Sequence, residues 1–126
     1  MSLASDITHF LDSGTSTLTM GTNLFVAEEP VDSPDTCAIV IGSPGSYDTE
    51  SGLEKRSIQV VVKAKSYIIA ETLATTIFDL LKNKTGFSSI ANIFYCEVLS
   101  APYPIDRDIR GRIIFSINFL ISKVTP

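Results

Sequence analysis

The stretch RSIQVVVKAKSYIIAETLATTIFDLL, Arg56 to Leu81, constrains the fold more than any other part of the sequence. Ile58, Val60, Val62 and Ala64 alternate with Gln59, Val61 and Lys63, the period-two signature of a strand. Within two residues the period changes. Ala70, Leu73, Ala74, Ile77 and Leu81, widened by Phe78, fall on one helical stripe that ends near Asn83, with Gly86 as a stop. Ser66 stands where a hydroxyl can cap the helix. A strand running straight into an amphipathic helix requires a sheet with a helix packed on it. No glycine allows a phosphate to approach the junction and no nucleophile occupies the bend, so the stretch reads as scaffold.

The flanking segments fit the same architecture. LASDITHFLD (3–12) is a short amphipathic helix followed by Gly14, and NLFVAEEP (23–30) is a strand closed by Pro30. VDSPDT has turn chemistry, and CAIVIGS (37–43) is an apolar run of strand length. NIFYCEVLS (92–100) and RIIFSINFLISK (112–123) alternate as strands on either side of the turn APYPIDRDIRG. The expected fold is α+β: a mainly antiparallel sheet of about five strands with two helices on one face, in the order α-β-β-β-α-β-β. With 126 residues and no internal repeat, one domain over 1–126 is expected. Such a chain buries roughly two thirds of its unfolded surface. Residues 43–55, SPGSYDTESGLEK, break the pattern with small polar residues and are expected to be a flexible loop.

No set of side chains in the sequence makes a reaction centre. His9 has no nucleophile or orienting acid near it in the chain, which leaves it structural or on the surface. Asp106 and Asp108 alternate with Arg107 and Arg110, a pattern of ion pairs more than of acid–base catalysis. GSPG (42–45) lacks the Lys-Ser/Thr ending of a phosphate loop. Lys63 and Lys65 read as guards of an edge strand, and Tyr67 as a first-turn packing residue. Cys37 and Cys96 each sit in an apolar run without metal-type spacing and read as buried thiols. No catalytic residue, metal or cofactor is expected.

The net charge of −4 comes from 14 acids and 10 bases without a basic cluster, which disfavours sequence-specific binding to nucleic acid. No apolar run reaches the ~20 residues of a membrane helix, and no basic-then-apolar leader is visible. A cytosol-like compartment without membrane attachment is the expectation.

NLFVAEEP, the apolar run ending at Gly42, the Gly-rich loop, the strand–helix stretch and APYPIDRDIRGRIIFSINFLI follow in an order that resembles the tail-terminator, or tail-completion, proteins of long-tailed bacteriophages. Some of these are catalogued as minor capsid proteins. The resemblance spans about residues 3–122 and lies in order and spacing. It implies a structural virion protein of the tail, assembled in the host cytoplasm. Such a protein forms a homo-oligomeric, usually hexameric, ring on the end of the tail tube. The ring stops tube polymerisation and offers a docking surface to the head connector. The implied partners are further copies of the chain, the major tail tube protein and the head-completion protein, with DNA only passing through the lumen. On this reading the assembly contacts are sought in the 43–55 loop, at Ser46, Tyr47, Asp48, Glu50, Glu54 and Lys55. A second group is sought in the charged turn from Asp106 to Arg112, at Asp106, Arg107, Asp108 and Arg110. The alternatives are a small ligand-binding or enzymatic domain with 43–55 as its lid, and another neck or head-joining protein.

Overall fold

The computed structural model describes residues 3–15, 17–42, 46–47, 53–84 and 93–124. The elements are α1 (Leu3–Gly14), β1 (Leu24–Val26), β2 (Cys37–Gly42), β3 (Ser46–Tyr47), β4 (Leu53–Ala64), α2 (Tyr67–Leu81), β5 (Ile93–Arg107) and β6 (Ile113–Val124). They build one sheet in the order β1-β2-β4-β6-β5, with β3 paired to the start of β4. All pairs are antiparallel except β1 with β2. That parallel pair requires residues 27–36 to carry the chain back to the start of β2.

The alternation in β4 decides which face is covered. Ile58, Val60, Val62 and Ala64 are buried, and across the ladder they meet Phe119, Ile117, Phe115 and Ile113 of β6. Ala70, Leu73, Ala74, Ile77 and Leu81 of α2 close over them, and Leu3, Ala4, Ile7 and Leu11 of α1 extend the same core. Tyr67 meets Phe115 edge-on at 5.3 Å, and Phe78 stacks near Phe119 at 6.5 Å. Both helices therefore cover one face. On the other face Phe25, Cys37 and Ile39 form a smaller cluster with Ile41 and Val61, and Gln59 donates to Ser116 at 2.9 Å beside it.

Several local expectations change. The first strand is three residues long, not eight, because Ala27 takes a left-handed conformation (φ 66) and turns the chain away. Of the expected 43–55 loop, 46–47 and 53–55 are strand, and the rest lies outside the described residues. β5 continues to Arg107 and leaves only Asp108–Arg112 as the turn. Its Pro102 and Pro104 are accommodated because β5 is an edge strand with repeated register shifts. β4 is central, so Lys63 guards no edge. Ser66 is the N-cap of α2, but its hydroxyl makes no capping bond. The helix ends at Leu81, with Asn83 left-handed (φ 52), and the expected stop at Gly86 lies outside the described residues.

Candidate assembly interface

At the end of the sheet where β4 finishes and β6 begins, four charged side chains from three parts of the sequence meet. Lys63 points away from the helices because its neighbours Val62 and Ala64 point toward them. Its ammonium lies 2.6 Å from Glu29 Oε1, on the 27–36 crossover, and 3.7 Å from Asp108 Oδ2. The Arg112 guanidinium, 3% exposed, lies 2.6 Å from Glu29 Oε2 and 2.7 Å from Asp108 Oδ2. Arg112 Nη1 also donates to the Pro34 carbonyl at 3.0 Å and to Ser33 Oγ at 3.1 Å, and the Ser33 hydroxyl donates a very short bond to Glu29. Arg110 completes the set by donating to Ser33 and by pairing with Asp35 at 3.1 Å.

Two carboxylates face two cations here, so the cluster is neutral and each buried charge has partners, the condition under which buried ions are tolerated. Burial works against the charge on Glu29, but its bonds from Lys63, Ser33 and Arg112 outweigh that and hold the carboxyl down at about 2. Asp108 is likewise opposed by burial and held down at about 2 by the Arg112 amide and guanidinium. Burial alone would lower Arg112, yet the two carboxylates raise it above its ordinary value. Burial, with the Glu29 charge at its side, pushes the Cys37 thiol up, and Cys96 is pushed up to about 12 by burial. Neither thiol is poised as a nucleophile. The cluster is a clasp: it fastens the crossover to the β5–β6 turn.

The sequence-based candidates fall at opposite ends of the sheet. Asp108 and Arg110 are in or against the clasp. Asp106 accepts from the Arg107 amide at 2.7 Å, and the Arg107 guanidinium donates to the Gly111 carbonyl at 2.7 Å. Ser46 and Tyr47 pair in β3 with Lys55 and Glu54, where Glu54 also binds Arg56 at 2.6 Å. Asp48 and Glu50 lie outside the described residues. β3 pairs with β4 at Glu54 and Lys55 and the clasp meets it at Lys63, so the two groups are separated by roughly 25–30 Å at the usual rise of a strand. They are not one site.

Glu29, Ser33 and Lys63 are missing from the sequence-based candidates. Lys63 reads from sequence as an edge guard, but β4 is central, where a lysine with little exposure needs an acid to meet. Fully exposed Val31 and Ile109 on the clasped segments were also missed. So was a groove of about 350 Å3 on the helix side, lined by Leu18, Ile68, Ile69, Thr72 and Leu73 among others.

Comparison with known proteins decides the family. The model of the family described as bacteriophage tail terminator protein matches residues 11–125. The chain belongs to the bacteriophage tail terminator family. Among solved structures it is similar to a chain in the virion of a native gene transfer agent particle, with a TM-score of 0.70 and 15% identity over 97% of this chain and 94% of that one. At that identity the likeness is one of fold. No curated protein matches the sequence. As a tail terminator family member the protein is a structural component of the virion tail.

Proposed function

We propose that this tail terminator forms a ring on the finished end of the tail tube, halts tube polymerisation there and presents the surface on which the head connector docks. The observation that carries this reading is the family match over residues 11–125. The exposed apolar side chains Val31, Ile68, Ile69, Leu99, Ile105 and Ile109 support it as surface open to contact between subunits. The acidic balance suits a lumen through which DNA must slide without adhering.

The two ends of the sheet divide the work. The clasp end meets neighbouring subunits, and the β3 end, with Ser46, Tyr47, Glu54 and Lys55, meets the tube or the connector, joined by Asp48 and Glu50 of the 43–55 segment. A partner set of further copies, tube protein and connector follows, and six copies close the ring. The test is electron microscopy of particles made without the protein. Tails of uncontrolled length, corrected when purified protein is added back, are expected. Tails of normal length in its absence would sink the reading. Reversing the loop charge with Asp48→Lys and Glu50→Lys should leave the melting temperature unchanged and reduce head attachment. Unchanged attachment would remove the loop from the docking surface.

A further inference from the structure

Two surface features of the described residues are apolar and bordered by opposite charge. The first is a knob. Val31 and Ile109 are 99% and 104% exposed, and they project from the two segments that Arg112 and Glu29 lock together. Single apolar residues on a surface mean little, but these two are held on braced backbone, so they are ordered before any partner arrives. On the same two segments and the end of β5, exposed Glu28, Asp32, Asp35 and Asp106 outnumber Arg107 and Arg110, and Asp35 already engages Arg110. The rim is acidic.

The second feature is the groove lined by Leu18, Ile68, Ile69, Thr72 and Leu73. Ile68 and Ile69 keep 71% and 51% of their surface exposed. Exposed Lys65 stands where α2 begins, the first turn of α2 contains no acid, and the Ser66 hydroxyl makes no capping bond. That end of the groove is electropositive from the lysine and from the helix dipole.

The two features face different ways, although Thr36, the last residue of the crossover, also lines the groove. The crossover that holds Val31 is tied to Lys63 on the face away from the helices, whereas the groove is walled by α2. A two-fold contact joins unlike patches only when both lie in the same interface, whereas a head-to-tail contact places one on each side of the subunit. A ring requires two unlike patches that fit each other. We infer that the knob of one copy seats in the groove of the next, with its acidic rim over Lys65 and the N-terminal end of α2. The contact rests on the ring reading above and gives it a specific partner surface: a second copy of this chain.

The test uses tails assembled without the protein, to which purified variants are added. Val31→Asp with Ile109→Asp alters the knob, and Ile68→Asp with Ile69→Asp alters the groove. Each pair should lower the capping of tails at least about tenfold, as loss of central apolar anchors does, while melting as cooperatively as wild type. Where an aspartate pair disturbs folding, the serine pair at the same positions replaces it. Independently, Val31→Cys with Thr72→Cys, treated on capped tails with a short bismaleimide, should give a ladder of covalent oligomers that neither single variant gives. The two native thiols are fully buried and do not compete. Folded variants that cap like wild type, or capped tails without a ladder, overturn the knob–groove contact and leave the ring reading standing. Wild-type protein that fails to cap overturns the ring reading, and the contact falls with it.

Discussion

Arg112 is nearly as buried as the phenylalanines beside it in β6, and its charge is answered by Glu29 from the distant crossover and Asp108 from the adjoining turn. Removing one member of such a network leaves opposite charges buried and uncompensated. Arg112→Ala should therefore cost about 3–5 kcal/mol in chemical denaturation. Arg112→Lys should recover part of that, because it restores the charge but not the forked geometry. The pH dependence follows from the same pair. Glu29 is ordinarily near 4.5 and is held at about 2, and Asp108 is moved from 3.8 to about 2. Depressed carboxyls stabilise the fold above their unfolded values and lose that contribution as pH falls through the folded ones. Stability should be flat with respect to these groups above about pH 5 and fall between about 4.5 and 2. A urea series across that range, in wild type and in Glu29→Gln, measures it; the variant should show a shallower fall. The sequence alone makes Lys63 an edge guard and cannot display its partner. The two residues are 34 positions apart, and they meet because the crossover folds back over the face that Lys63 occupies.

At the scale of elements, α2, β4 and β6 were legible because period and burial agree in them. Ile113, Phe115, Ile117, Phe119 and Ile121 alternate strictly and are all buried. β5 was half legible. Pro102 and Pro104 signal a turn to local reasoning, but among the described residues β5 is an edge strand with one side without a ladder partner, and the strand runs on to Arg107. β3 has two residues, too few for any periodicity to register. The tight β5–β6 turn offers a test at this scale. Gly111 has a φ of +78 with open space around its Cα, so Gly111→Ala meets no neighbour but must hold a left-handed backbone. It should lose about 1–2 kcal/mol, read as a lower melting temperature. Gly42→Ala makes a different prediction. A Cβ there would touch Ala4 at 3.5 Å and Ile58 at 3.7 Å, ordinary contacts at ordinary backbone angles, so the melting temperature should hold or rise slightly.

For the whole molecule, the described residues already contain a continuous core, so a subunit folds before it assembles and association adds stability to a fold that exists. That ordering has a measurable consequence. A partner that binds only the folded state stabilises it with the logarithm of its concentration, about 2.7 kcal/mol at a hundred times the dissociation constant. For a domain of this size that is a rise of several degrees in melting temperature. Melting curves of the wild-type chain should therefore move upward with protein concentration once copies associate. Curves of the Val31→Asp, Ile109→Asp variant should not move, because both side chains are fully exposed and add nothing to the isolated fold. A concentration dependence that survives in that variant would place the contact between copies elsewhere, with Leu99, Tyr103 and Ile105 along the β5 edge as the next surface to alter.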